Sequence, residues 1–133
     1  MVSGKRLNNL GAEIVARHFK ILSGVKTDLG GNDEGPDPHE ILESALAACT
    51  TITLQMYANR KKMQLESTNV QVKVESETIQ ETIISMSIAL IGELTEEERK
   101  KLFEIAEKCP IHRLLKSQVT INTTHASTKN QNQ

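Results

Sequence analysis

Apolar residues recur at spacings of three and four from Pro38 to about Lys62: Ile41, Ala45, Cys49, Ile52 and Met56 form one line, which Leu42, Leu46 and Thr53 widen. That period predicts a helix. Its start is marked by Asp37-Pro38-His39-Glu40. Asp caps free N–H groups, Pro suits the first helical position, and Glu three residues on completes a capping box. Such a helix is about 37 Å long. Its middle, Ala45-Leu46-Ala47-Ala48-Cys49, has almost no polar side, so protein should surround it on most sides. One layer of a 133-residue chain covers too little of it, which favours a homodimer.

Elsewhere the period is two. Residues 12 to 21 place Val15, Arg17, Phe19 and Ile21 on one face of an expected strand, Gly24 permits a turn, and Val25 to Leu29 is the expected hairpin partner. Gly30 to Asp37 reads as a loop. Val70, Val72 and Val74 alternate within Asn69 to Glu75, and Ile84, Met86, Ile88 and Leu90 alternate within Thr82 to Leu90, so two antiparallel strands follow. Thr95 and Glu98 open a second helix, whose buried face is Leu102, Phe103, Ile105 and Ala106 and which Pro110 ends near Cys109. Ile111 to Leu115 suggests a short turn, Val119 with Ile121 a closing strand, and residues 125–133 a frayed tail. The order β-β-α-β-β-α-β predicts an α+β two-layer sandwich with a mainly antiparallel sheet, in one domain over 1–133.

The make-up agrees with one soluble domain: 38% of residues are hydrophobic and 25% charged. At this size about two-thirds of the unfolded surface is buried on folding, so a core forms without disulfides or metal. A formal net charge of -1 argues against a nucleic-acid or anionic-membrane surface. No apolar run approaches the ~20 residues of a membrane helix, and the opening residues lack the apolar stretch of a signal peptide, so a cytoplasmic location is expected.

The glycine-rich loop lacks the Gly-Lys-Ser/Thr of a phosphate cradle and reads as a turn. The four histidines and two cysteines lack the local spacing of a zinc site. That leaves Cys49 and Cys109, sixty positions apart and in neither a CxxC nor a zinc framework. A cysteine in an Ala-rich helix is equally well a small core residue. Cys109 sits beside Pro110-Ile111-His112-Arg113, at a bend after a helix. A helix C-terminus is partially negative and raises a thiol's pKa, which suits a resolving thiol better than an attacking one.

Gly30-Gly31, then Gly35-Pro36-Asp37-Pro38-His39-Glu40-Ile41-Leu42, then Ala45-Leu46-Ala47-Ala48-Cys49-Thr50, then Lys108-Cys109-Pro110-Ile111-His112-Arg113 resembles the OsmC/Ohr family of osmotically inducible and organic hydroperoxide resistance proteins. The resemblance runs from about residue 10 to residue 124. It implies an intertwined homodimer with active sites at the subunit interface. It also implies that Cys49 is the peroxidatic thiolate, that Cys109 condenses with its sulfenic acid to a disulfide, and that an external thiol, a small dithiol or lipoyl group, restores the pair without a bound cofactor. The chemistry is coherent: only a thiolate attacks, and a sulfenic acid must be trapped before it oxidises further. The organic hydroperoxide members use an N-terminal Arg as activating cation and a Glu ten residues before the peroxidatic Cys. Here Arg17 and Arg6 both qualify for the first role. Counting back ten reaches His39, with Glu40 one step on, and Glu40 also serves the capping box.

Two readings follow. One is a thiol-dependent peroxidase of organic hydroperoxides, with Cys49, Cys109, Arg17 and Glu40 as candidate catalytic residues. The other is a non-catalytic dimeric protein that binds a small ligand on the same scaffold.

Overall fold

The computed structural model describes residues 1–127. The helix expected from Pro38 runs over Pro38–Lys61 (α1), and Asp37 and Glu40 form its capping box by exchanging hydrogen bonds of 2.8 and 2.9 Å. Lys62 ends it in the left-handed region at φ 58. The chain then returns through two long strands, Gln64–Glu77 (β4) and Thr82–Glu93 (β5), paired antiparallel.

Their register sets Val70 opposite Ile88, Val72 opposite Met86 and Val74 opposite Ile84. All six are half-buried while the residues between them are exposed, as alternation along a one-sided sheet requires. Gly92, at φ +145, lets the strands close up, since a Cβ there would lie 2.0 Å from the Gln64 carbonyl oxygen. Helix Glu96–Ala106 (α2) begins with a second capping box, Thr95 with Glu98. The Arg99 guanidinium ties it to β5 by donating to the Leu90 and Gly92 carbonyls.

Leu54 and Ala58 of α1, Leu65 of β4, and Leu102 and Ala106 of α2 form the buried core. Each large apolar side chain removed from water there contributes about 1.5–3 kcal/mol.

The architecture is α+β with antiparallel strands and a long helix, but the element order differs from expectation at both ends. At the front stand three strands, Val2–Arg6 (β1), Ala12–Ala16 (β2) and Phe19–Ser23 (β3), in the antiparallel order β1-β2-β3. The strand expected over 12 to 21 is therefore a hairpin that reverses at Arg17-His18. This puts Ile14 opposite Ile21 and takes Arg17 off the strand face altogether. Val25 to Leu29 is not its partner: Thr27–Leu29 is a single 3-10 turn, closed by Gly30 at φ +90. Val2–Arg6 carries no strand signal of its own, because Val-Ser-Gly-Lys-Arg has no apolar alternation. Among the described residues this three-stranded sheet and the β4–β5 hairpin are separate sheets.

At the other end, the turn expected after Pro110 is a helix, Pro110–Lys116 (α3). The expected closing strand is absent: residues 118–127 carry no regular structure, and Ile121 is 82% exposed. Among the described residues no neighbouring strand edge receives them. Of the expected tail, residues 125–127 belong to this irregular run and 128–133 lie outside the described residues.

Helix α1 is also turned relative to expectation. Its buried line is Leu46, Thr50, Leu54 and Ala58, whereas Ile52 and Met56, placed inward by the sequence, are 58% and 67% exposed. Apolar residues occupy both sides of this helix, so periodicity alone could not choose the side that meets β4–β5. No helix among the described residues is long and apolar enough to cross a membrane.

Candidate active site

Cys49 lies mid-way along α1, half-buried, with its sulfur 3.9 Å from the Thr53 hydroxyl one turn on. Cys109 is fully buried. Its position corrects the electrostatic expectation. Helix α2 has already ended, with Glu107 as its C-cap, and Cys109 is the N-cap of α3, its sulfur accepting from the His112 backbone N–H at 3.4 Å. The thiol therefore faces the partially positive end of a helix. The chain does this because Pro110, without an N–H of its own, fits the first helical position and leaves the amides of Ile111 and His112 free.

The Ile111 amide bears on both sulfurs and the His112 amide on Cys109 alone, and the two thiols act on each other as neighbours. Burial works against ionisation of Cys49. Hydrogen bonds from the Cys109 thiol, the Ile111 N–H and the Thr53 hydroxyl outweigh it, and Cys49 ends below the ordinary thiol value. Cys109 is pushed above it, by burial first and then by giving its proton to Cys49, against opposing bonds from the His112 and Ile111 amides and Thr50.

Thr50 adds a contact that periodicity did not reveal. It is fully buried, with its hydroxyl 3.4 Å from Met86 Sδ and 4.0 Å from Cys109 Sγ. The available signal was a polar residue on the Leu46–Leu54–Ala58 line. On the Thr53 side of the thiols, a cavity of about 630 Å³ is lined by Thr53, Met56, Tyr57, Arg60, Ile105 and Pro110. On the Thr50 side, one of about 340 Å³ is lined by Leu46, Met86, Ile84 and His112, among others.

The remaining candidates stand apart. Arg17 occupies the β2–β3 turn at φ 57, exposed, with its guanidinium 4.9 Å from the centre of the Phe19 ring. Arg6 donates to the Asn9 carbonyl at 3.4 Å. Neither is among the groups acting on Cys49. Glu40 holds the Asp37 N–H at the start of α1, and nine helical residues at the usual rise put it about 13 Å along the axis from Cys49. His39 pairs with Glu77 at 2.8 Å. Among the described residues no three His, Cys, Asp or Glu side chains converge as a metal site.

A capped helix laid on an antiparallel hairpin, with two free thiols neighbouring each other at the start of a third helix, defines an α+β protein with a pair of adjacent cysteines. A family model described as OsmC-like protein matches residues 30–124, and the chain belongs to that family. Its fold is shared with an OsmC-like protein from Mycoplasma pneumoniae, at 19% identity and a TM-score of 0.72 over 86% of this chain and 85% of that one. It is also shared with an organic hydroperoxide resistance protein from Legionella pneumophila, at 22% identity and TM-score 0.62 over 87% and 88% of the two chains. A third, the organic hydroperoxide resistance protein of Elizabethkingia anophelis, gives 20% identity and TM-score 0.68 over 86% of each. No curated protein matches the chain.

Proposed function

We propose that this protein is a dithiol peroxidase that reduces organic hydroperoxides. The observation that carries the reading is the placement of Cys49 and Cys109 together at the start of α3, where the Cys109 thiol, the Ile111 amide and the Thr53 hydroxyl favour the Cys49 thiolate against the cost of burial. The Cys49 thiolate attacks the peroxide oxygen, the O–O bond breaks, and the alkoxide leaves as an alcohol after taking a proton. Cys49 becomes a sulfenic acid. Cys109 then attacks the Cys49 sulfur; its proton leaves with the displaced hydroxide as water, and a disulfide joins the two. A small dithiol or lipoyl-type reductant restores both thiols by exchange and is itself oxidised to a disulfide. Such a cycle suits a reducing, cytoplasmic compartment. The hydroperoxide resistance proteins that share the fold support the assignment.

The working form is a homodimer. The exposed apolar side of α1, with Leu42, Ile52 and Met56, and the β1–β3 sheet, with exposed Phe19 and Ile21, need a cover that one chain lacks. In this arrangement the partner presents a cation to Cys49, with Arg17 ahead of Arg6 because a hairpin tip reaches furthest.

Mass spectrometry of the reduced protein after cumene hydroperoxide tests the chemistry. Loss of two hydrogens, with Cys49 linked to Cys109, is expected, and Cys49→Ser should abolish turnover. Two unchanged thiols after prolonged excess would overturn the proposal and leave a ligand-binding protein in its place.

A further inference from the structure

Two adjacent threonines of α1 use their hydroxyls differently. Thr51 donates to the carbonyl of Ala47 at 2.9 Å, the ordinary outlet for a helical threonine. Thr50 lies instead at 0% exposure between two sulfurs, Met86 Sδ at 3.4 Å and Cys109 Sγ at 4.0 Å. A hydroxyl carries one proton, so it can serve only one of these acceptors at a time. A thioether is a weak acceptor and a thiolate a strong one. While Cys109 remains a thiol, the shorter contact to Met86 is the better use of that proton. When Cys109 loses its own proton to attack, the preference reverses, and rotation about one bond brings the hydroxyl round.

From this juxtaposition we infer that Thr50 is a positioning residue for the resolving step, holding the Cys109 sulfur toward Cys49 and donating its hydroxyl proton to that sulfur as negative charge develops. The inference rests on reading Cys109 as the resolving thiol. It leaves the first step to the groups on the other side of Cys49, the Thr53 hydroxyl and the Ile111 amide. Thr50 is fully buried, so no water can take over its role.

Ellman's reagent separates the two steps without any peroxide. Cys49 thiolate attacks the reagent, forming a mixed disulfide and releasing one thionitrobenzoate. Cys109 then loses its proton to solvent and displaces the second thionitrobenzoate, closing the Cys49–Cys109 disulfide. The two releases are followed as two absorbance phases in wild type, Thr50→Val and Thr50→Ser, each checked for an unchanged thermal midpoint.

The first phase should be alike in all three. The second should slow roughly tenfold in Thr50→Val, as loss of a donor to a charged acceptor implies, and recover in Thr50→Ser, which keeps the hydroxyl but not the methyl. A second phase unaffected by Thr50→Val overturns the inference. So does equal slowing in both variants, which would show that shape and not the hydroxyl matters. If the phases behave as expected and cumene hydroperoxide still leaves both thiols reduced, the peroxidase reading fails while the role of Thr50 in closing the disulfide stands.

Discussion

The β1–β3 sheet and the α1–β4–β5–α2 body solve the same burial problem with different success. In the body, Leu54 and Leu102 are wholly removed from water by elements from three parts of the chain. In the sheet, Phe19, Ile21 and Leu22 remain exposed although their strand is paired along its whole length with β2. Strand pairing can form within a ribbon three strands wide; apolar burial needs a second layer. The body encloses a core of its own beside the exposed Ile52 and Met56 of α1, whereas the sheet leaves Phe19, Ile21 and Leu22 exposed.

The largest test of that contrast is Leu54→Ala. It should cost about 2–5 kcal/mol in chemical denaturation, through lost transfer energy and the cavity left behind. A cost below about 1 kcal/mol would place the core elsewhere. Ile21→Ala tests the proposed dimer: its effect should appear as a fall in the unfolding midpoint that grows on dilution, as mass action requires of a cover supplied by a second copy. A midpoint independent of concentration would show the sheet to be self-sufficient.

Next comes Asp37→Ala, which removes the side-chain half of the α1 capping box. About 1 kcal/mol of stability should go, with both thiols reacting as before, since the box lies about three turns from Cys49. Within the body, Cys109→Ala should move the pH midpoint of Cys49 alkylation upward. The Cys109 thiol is one of the bonds that favour the Cys49 thiolate, so deleting it disfavours the charged form. An unmoved midpoint would break the pairing on which the site depends.

The smallest effect concerns His39. Glu77 raises its pKa above 6.5, first by hydrogen bond and then by charge. A raised folded-state value means the contribution is complete below the unfolded value and is lost as pH rises through the folded one. The pair is exposed on both sides, so only a slight loss of stability above neutral pH is expected. Proton NMR should place the His39 midpoint above 6.5, and Glu77→Gln should lower it.

Legibility followed the range of the interactions. The capping boxes at Asp37 and Thr95 and the alternation through Val70–Val74 and Ile84–Leu90 were readable because each depends on residues within a turn or a pleat of one another. Cys49 and Cys109 are singled out by their flanking residues only through resemblance, and what the structure adds is that they neighbour each other. Val2–Arg6 was not readable, since its strand is maintained by pairing with β2 rather than by its own side chains. Cys109 was placed on the wrong side of a helix end, because Pro110 both stops α2 and suits the start of α3, and sequence cannot say which comes first in space.

The amino-acid order by itself determined where the long helix begins, which residues share each face of the hairpin, and that two thiols sit in distinctive surroundings. Folding alone decided that Leu46, Thr50, Leu54 and Ala58, not Ile52 and Met56, turn inward, and that the Ile111 amide at the start of α3 bears on both sulfurs. The reason is physical: propensity and capping act between near neighbours in the chain. The choice of buried face, and with it the polarity around each thiol, is settled by contacts between segments dozens of residues apart.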